Sequence, residues 1–389
     1  MNILWVTQVS SKDKNGKVKI NSDSSLDLIN GFLTSDMSKN YIIIAFEFAY
    51  GDLDESGRNY LQEIRKRNKN IDFVFNKAHH FTDAKTERFF MDYSFFDGIR
   101  KHVKQIDVVM LNEPTKALAI KSVFKDAKIV SYNSWLAFYN MPNLIYRQCE
   151  GMLESDYVLF NSHYAINETL NYYDYMLGAE TLKQLKETKF KKFQPATPLE
   201  LFKKNSACEK NFIYNHRLST DEYYMNAFND LLTVCNILEQ KIPINEMPII
   251  YFTNPSGKDL KQFEVKPYFR FLKYLDSKEN YYNFLKSNKI IGHLNTFFKS
   301  KGMWAMSTVD AGICGNFCLL PERYGYAEIF DKDYIGYCDD VKEMANKMYS
   351  IIKDDFLHDL FSAGLEYLTN HNSKQIGNKL HALLNDIIK

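Results

Sequence analysis

The sequence lacks a long apolar run: no stretch of its 389 residues approaches the roughly 20 consecutive apolar residues needed to span a bilayer. Its first residues are apolar for only a short distance and carry no early lysine or arginine, which predicts a β-strand at 3–7 and not a signal peptide. We therefore expect no membrane partner and a cytoplasmic location, which would be the host cytoplasm if the gene belongs to a phage.

The sequence also lacks cysteines at the close spacing of a CxxC motif. The six cysteines are scattered along the chain, and no two of them form a CxxC pair. This argues against a disulfide framework and a cysteine-based metal cluster, and it favours a reducing compartment. His79 and His80 are adjacent but have no partner at ligand spacing, so we predict no metal site.

An excess of charge of one sign is absent as well. The chain has 49 Lys and Arg against 48 Asp and Glu, a formal net charge of +1. This excludes a nucleic-acid binder that is basic throughout, but not a local patch. The lysine-rich run 183–204, with Lys189, Lys191 and Lys192 at its centre, could hold a nucleic-acid backbone or could be a solvated surface. The 29 Phe and 26 Tyr suggest an AT-rich genome, such as many phages have.

What the sequence contains is an alternation of short apolar runs with longer stretches of helical period. This pattern predicts parallel sheets covered by helices. We predict strands at 3–7, 41–48, 71–75, 107–111, 128–132 and 157–161, and again at 211–215, 248–253, 268–272, 290–294, 317–320 and 334–336. Two prolines in 193–198 favour a linker. We therefore predict one domain at 1–192, a second at 199–370, and a last helix at 371–389 that packs back on the first.

An acidic residue on a short helix is the strongest candidate for chemistry. Asp310 stands five positions before Gly315, and an apolar strand follows. A left-handed Gly315 would end the helix and turn the chain into that strand. Asp310 could then accept two hydrogen bonds from a ribose diol, with Ser307 on the same helix. The alternative is an ordinary turn with a solvated Asp310.

A second candidate lies where a predicted strand meets a helix start. Residues 215–218 have the sequence Asn-His-Arg-Leu, which places His216 and Arg217 at the strand's carboxyl end. A guanidinium beside a helix N-terminus suits a diphosphate, because the two positive fields add. The alternative is a surface Arg217 paired with Asp221 or Glu222.

Together these two motifs resemble the GT-B retaining glycosyltransferases, in which an Arg of a Gly-Arg-Leu motif holds the donor diphosphate. Residues 310–315 resemble the second half of the late motif of that family, with Asp310 in place of Glu. The first Glu of that motif falls at Gly302, and Lys299 or Lys301 would have to replace the usual Lys. The resemblance implies an α/β fold of the GT-B type, with two Rossmann-like doubly wound domains facing each other across a cleft.

Within this family the chain is most similar to the phage DNA α-glucosyltransferases. It shares with them Phe-Gln-Pro at 193–195 and the Gly-x-Cys-Gly turn at 312–315, whereas a queuosine-tRNA mannosyltransferase is a rival. Their His-Asp-His cluster is replaced here by residues that include Asn133 and Trp135. Asn133, Asn161 and Ser162 would then line the acceptor side. Trp135 would stack on a base or sugar, or pack in the core.

The resemblance implies transfer of a sugar, with retention, from a UDP-sugar to a hydroxymethylated pyrimidine in double-stranded DNA. Arg217, Asn133 and Ser162 would carry catalysis. His216, Arg217, Ser307 and Asp310 would bind the donor, and no cofactor is required. We expect a monomer. A tRNA, glycan or small-molecule acceptor, or a non-catalytic nucleotide-sugar-binding or scaffold protein, remains open. A DxD pair, Asp52 and Asp54, reads as a solvated loop and not as a metal motif.

Overall fold

The structure of the protein is a computed structural model. It describes residues 1–7, 16–20, 25–33, 40–76, 92–103, 105–112, 114–133, 142–194, 208–216, 218, 222–253, 261–272, 278–295, 297, 305–353 and 373–389. The chain divides into two compact units. Unit 1 comprises Met1–Pro198 together with Ser373–Lys389, and unit 2 comprises Leu199–Asn372.

The sheet of unit 1 is parallel throughout. Its strands are β1 (Asn2–Thr7), β2 (Tyr41–Phe46), β3 (Ile71–Phe75), β4 (Val108–Leu111), β5 (Lys128–Asn133), β6 (Tyr157–Phe160) and β7 (Phe190–Lys192), in the order β3-β2-β1-β4-β5-β6-β7. The central strands are continuous apolar runs because helices cover both faces of the sheet.

The helices of unit 1 alternate with these strands. They are α1 (Ser25–Leu33), α2 (Glu55–Arg67), α3 (Tyr93–His102), α4 (Ala117–Val123), α5 (Pro142–Glu154), α6 (His163–Leu177) and α7 (Ala179–Thr188). Three of these starts are explained by capping: Asp54, Asp92 and Ser162 each accept a hydrogen bond from a backbone N–H of the first turn. Asp54 is therefore a helix cap, and Asp52 accepts from the Ala49 backbone, which accounts for both carboxylates of the DxD pair.

Unit 2 repeats the same architecture. Its strands are β8 (Phe212–Tyr214), β9 (Ile250–Phe252), β10 (Phe269–Phe271), β11 (Gly292–Leu294), β12 (Phe317–Pro321) and β13 (Tyr337–Cys338), in the parallel order β10-β9-β8-β11-β12-β13. Its helices are α8 (Glu222–Glu239), α9 (Lys278–Lys286), α10 (Met306–Ile313) and α11 (Val341–Lys353). With β8 counted as the first strand, the order is 3-2-1-4-5-6, that of a doubly wound Rossmann sheet.

The last helix, α12 (Ser373–Ile388), belongs to the core of unit 1. Its buried residues Ile376, Leu380 and Leu384 join the apolar cluster that contains Trp5 and Phe32. Their spacing of four residues places all three on one face of the helix, so this face packs against α1 and the sheet. No helix in the described part of the chain is long and apolar enough to cross a membrane.

Most predicted elements agree with the structure to within a few residues, and two regions differ. The strand predicted at 334–336 is wrong, because the strand lies at Tyr337–Cys338. Tyr334 precedes it and uses its hydroxyl to bond the backbone of Cys318. No element was predicted between 162 and 192, where the structure has α6, α7 and β7. The lysine-rich segment therefore contributes a helix and an edge strand before the chain reaches 193–198.

Candidate functional site

The carboxyl edge of the sheet in unit 2 gathers the polar residues that the sequence singled out. Strand order reverses between β8 and β11, and such a switch point opens a crevice where ligands bind in doubly wound sheets. Asn215 and His216 follow β8 at this point, and Asn295 follows β11. Asn215 Nδ2 donates to the backbone oxygen of Ser307 at 3.4 Å, so the two predicted motifs meet here.

Helix α10 begins at the same place without a cap. Its N-cap residue is Ala305, which has no side chain that could accept from the first turn, and the earliest backbone bonds run from Thr308 and Val309 to the Ala305 carbonyl. The N–H groups of Met306 and Ser307 come before these bonds, where a helix has no internal acceptors. An uncapped helix N-terminus of this kind favours an anion.

The other end of α10 is closed as predicted. Gly315 has φ +82°, the left-handed conformation that favours glycine. Its N–H donates to Gly312 at 2.9 Å, and the N–H of Asn316 donates to Ala311 at 3.0 Å, which is the Schellman arrangement. The expectation that Gly315 ends the helix and leads into β12 is confirmed.

Four side chains below the crevice form a buried hydrogen-bond network. Asn295 Nδ2 donates to Thr308 Oγ1 at 3.0 Å, and His293 Nε2 lies 2.9 Å from the same oxygen. The ring of His216 hydrogen-bonds the Asn295 side chain and lies 6.1 Å from the His293 ring, measured between ring centroids. In and beside this network, three buried side-chain atoms have no hydrogen-bond partner: His216 Nε2, His293 Nδ1 and Asn215 Oδ1.

Burial keeps both imidazoles neutral. It lowers the pKa of His216 to about 4, and the hydrogen bond with Asn295 offsets this only in part. The pKa of His293, whose side chain is fully buried, lies well below its usual value, first because of burial and then because of the neighbouring His216. At neutral pH this part of the site therefore presents uncharged donors and acceptors.

Asp310 lies on the buried side of α10 and is 8 % exposed. Its Oδ1 accepts a hydrogen bond from the Tyr282 hydroxyl at 3.3 Å. The adjacent Tyr281 has its pKa raised well above the usual value, mainly by burial and then by the Asp310 charge, and its hydroxyl accepts from Asn215 Nδ2 at 2.6 Å. Asp310 and Asn215 therefore bond neighbouring tyrosines of the same helix, α9.

Arg217, the residue assigned to the diphosphate, lies outside the described residues, and so do Lys299, Lys301, Gly302 and Trp135. Their proposed roles rest on the sequence. The neighbours of Arg217 in the chain are described: His216 and Leu218 bracket it at the end of β8, and Leu218 is buried in the core of unit 2.

Unit 1 has a second buried polar group at the carboxyl edge of its sheet. The Tyr173 hydroxyl donates to Gln148 Oε1 at 2.6 Å, and Gln148 Nε2 donates to Asn133 Oδ1 at 2.9 Å. Asn133 is 2 % exposed, and its Nδ2 has no partner. Asn161 and Ser162 follow the adjacent strand β6, where Ser162 caps α6 and donates to Asn161 Oδ1 at 3.2 Å.

The three lysines proposed to contact the acceptor have different surroundings. The Lys189 amine donates to the carbonyl of Leu153, and burial lowers its pKa. Lys191 lies over the Tyr157 ring, 5.7 Å from its centroid. Lys192 ends β7 beside Phe160, at the same edge as Asn161. Lys191 and Lys192 are half-buried members of an edge strand and not part of a flexible basic tail.

Sequence reasoning missed five residues of these networks: His293, Asn295 and Thr308 in unit 2, and Gln148 and Tyr173 in unit 1. Each lies inside a short strand, beside one or on a helix, where a single polar residue gives no signal. His293 is the one exception, because a histidine in the middle of an apolar strand is a signal that the sequence does contain.

The architecture matches solved glycosyltransferases over almost the whole chain. HepE from Anabaena, in complex with UDP-glucose, is 12 % identical, with a TM-score of 0.64 over 99 % of this chain and 100 % of that one. Sucrose-phosphate synthase from Thermosynechococcus elongatus is 10 % identical, with a TM-score of 0.67 over 99 % and 98 %. A glycosyltransferase from Rickettsia africae is 10 % identical, with a TM-score of 0.62 over 100 % and 98 %.

These matches establish the fold. The chain has the GT-B fold of two Rossmann-like domains, as the sequence predicted. No protein-family model and no curated protein matches the chain. The similarity to phage DNA enzymes gains no support from the structures above.

Proposed function

We propose that the protein is a glycosyltransferase that moves a sugar from a UDP-sugar to a hydroxyl group, with retention. The observation that carries the proposal is the switch point of unit 2. There the uncapped N-terminus of α10 meets three buried polar atoms without partners, on His216, His293 and Asn215. HepE, a protein with the same fold, has been crystallised with UDP and with UDP-glucose.

The chemistry follows from the charges at this point. When the sugar leaves, negative charge develops on the diphosphate, and catalysis requires groups already aimed at it. The N–H groups of Met306 and Ser307 supply such donors, and the guanidinium of Arg217 would add a full positive charge. Asp310 is the proposed partner of the ribose hydroxyls.

The acceptor would be held by unit 1. The unpartnered Asn133 amide, with Asn161 and Ser162 on the next strand, offers donors and acceptors for a hydroxyl group, and Trp135 follows Asn133 in the chain. We propose a hydroxymethylated pyrimidine in double-stranded DNA as the first acceptor to test. A base in a duplex would have to be flipped out to reach these groups.

The motifs behind this choice of acceptor also have a local structural explanation. The Gly-x-Cys-Gly turn at 312–315 ends α10, and Phe193 of the Phe-Gln-Pro motif is buried in the core of unit 1. Either could recur in a GT-B protein with another acceptor. A tRNA, glycan or small-molecule acceptor is therefore tested in parallel.

The test is a screen of UDP-glucose and other nucleotide sugars against hydroxymethylated DNA, tRNA and free glycans, read by mass spectrometry. Binding of UDP is measured alongside by calorimetry. Sugar transfer to any of these hydroxyl groups supports the proposal. If UDP binds but no donor is consumed, the protein is a nucleotide-sugar-binding protein; if no nucleotide binds, the proposal fails.

The DNA acceptor has its own test. Replacing Lys191 and Lys192 with Glu should raise the apparent KM for DNA and flatten its salt dependence, while kcat changes little. The matched control replaces Lys183 and Lys186, which are exposed on α7. Lys189 is left in place because its amine holds the Leu153 carbonyl. Equal effects of the two double variants would refute a specific role for β7.

A further inference from the structure

The hydrogen bonds below the crevice of unit 2 have a fixed direction, which determines where the His216 proton lies. Asn295 Nδ2 donates a hydrogen bond to Thr308 Oγ1, so the amide oxygen Oδ1 points away from Thr308 and can accept a hydrogen bond on the opposite side. The ring of His216 bonds this side chain, and His216 Nε2 is buried without a partner. The bond with Asn295 raises the pKa of His216, as donation by the ring does, and Nε2 is the ring nitrogen without a partner. We therefore assign the donated proton to Nδ1, which leaves the lone pair of a neutral ring on Nε2.

The far end of the network is compatible with the same assignment. Thr308 Oγ1 already accepts from Asn295, so its own hydrogen is available to His293 Nε2 at 2.9 Å. His293 then carries its proton on Nδ1. All bonds run in one direction, from His216 through Asn295 and Thr308 to His293, and each of the two inner groups uses both its donor and its acceptor.

A buried lone pair without a partner requires a hydrogen-bond donor. The oxygens of a diphosphate between pH 5.5 and 8 offer lone pairs and would be repelled by His216 Nε2. A hydroxyl group of ribose or of the transferred sugar offers a hydrogen. A protonated His216 would suit phosphate, but burial opposes that charge.

We propose that His216 Nε2 accepts a hydrogen bond from a hydroxyl group of the bound nucleotide sugar, and that Asn295 and Thr308 position the ring for it. This inference rests on the proposed function, because it assigns a role within the same site. It makes His216 a residue that recognises the donor's hydroxyl groups, beside Arg217, which would hold the charge.

The experiment measures binding of UDP and UDP-glucose by calorimetry to the full chain and to His216→Phe, which keeps a ring and removes the acceptor. His216→Gln retains an acceptor oxygen, and His381→Phe, on α12 beside Phe32, is the matched control. Loss of one neutral hydrogen bond should weaken binding about 3- to 10-fold in His216→Phe. The Gln variant should restore most of the affinity, and the control should match the wild type.

The two ligands distinguish the source of the hydroxyl group. If it belongs to ribose, His216→Phe weakens UDP and UDP-glucose alike; if it belongs to the transferred sugar, only UDP-glucose is weakened. Either result supports the inference. Unchanged affinity for both ligands, in a variant with an unchanged melting temperature, overturns it while the proposed function stands. Failure of the wild type to bind any of UDP, GDP, ADP and dTDP overturns both.

A pH series tests the protonation state and the positioning role. Among the described residues, the titratable groups that face the His216 ring are Tyr214 and His293. Tyr281 bonds the adjacent Asn215, and the Asp310 charge acts on Tyr281. UDP-glucose affinity of the wild type should be flat from pH 8 to 5.5. Asn295→Asp places a carboxylate against Nδ1, so affinity should now fall as the pH drops and His216 gains a proton. The inference is refuted if the wild type binds UDP-glucose more tightly as the pH falls and His216→Phe abolishes this increase. That result would show that the His216 ring is cationic in the complex.

Discussion

Replacing Thr308 with Val removes one hydroxyl group from the buried network while keeping the shape of the side chain. Thr308 is fully buried, and its oxygen is the partner of Asn295 Nδ2 at 3.0 Å and of His293 Nε2 at 2.9 Å. The substitution removes the Thr308 oxygen as a partner of both buried groups. Each lost buried hydrogen bond costs about 1–3 kcal/mol, so we expect unit 2 to lose about 2–6 kcal/mol of its unfolding free energy.

Native-state hydrogen exchange read by mass spectrometry measures this loss locally, on peptides that cover β11 and α10. The local reading matters because two units need not unfold as one transition. Thr308→Ser keeps the hydroxyl group and should cost only about 1 kcal/mol for the lost methyl group.

The matched control is Thr233→Val on α8. Thr233 is exposed, and its hydroxyl only donates to the Asn229 carbonyl of the same helix at 2.9 Å, so the expected change stays within about 0.5 kcal/mol. A Thr308→Val cost no larger than that of the control would mean that the two partners are satisfied in another way. The role assigned to the Thr308 hydroxyl group in the network would then be wrong.

Three further predictions concern other parts of the chain. Gly151→Ala should be strongly destabilising in thermal unfolding, because its new methyl group would lie 1.8 Å from a backbone oxygen of the facing turn. By contrast, Gly98→Ala, a helical glycine with nothing within 4 Å, should gain about 0.5–1 kcal/mol. Between pH 6.5 and about 4 the unfolded chain binds protons that neutral His216 and His293 do not. The unfolding free energy should therefore fall as the pH drops through this window, by up to about 1.4 kcal/mol per pH unit for each histidine. Urea titrations at several pH values measure this, and an unfolding free energy that does not change with pH would refute it. Arg217→Ala should lower kcat/KM for sugar transfer by a factor that corresponds to about 3 kcal/mol or more without loss of fold, and near-normal turnover would refute its role.

The fold could be predicted because buried parallel strands leave continuous apolar runs that a single sequence reveals. Among the elements that were missed, α7 and β7 lack such apolar runs. Helix α7 buries only Leu182 and Leu185, and the edge strand β7 has two lysines beside Phe190. Their composition is that of a solvated segment, so pattern alone could not separate them from a linker. The two-residue strand β13 is too short to leave a pattern at all.

The candidate site could be predicted only where a motif marks the end of an element. The helix end at Gly315 and the strand end at His216 both leave such a mark, because glycine and charged residues interrupt apolar runs there. The network beneath could not be predicted, since it depends on β11 and α10 bringing His293 within 2.9 Å of Thr308. That contact is set by packing between elements, which a single sequence does not record.

The place of α12 in the structure has a consequence for the order of folding during synthesis. Leu380 and Leu384 are fully buried in the same core as Trp5, yet they leave the ribosome after all of unit 2. Unit 1 therefore waits with an open apolar groove, although it is made first, whereas unit 2 can complete its own core before the chain ends. We expect the nascent chain to depend on protection of that groove until the last turns of α12 emerge and close it.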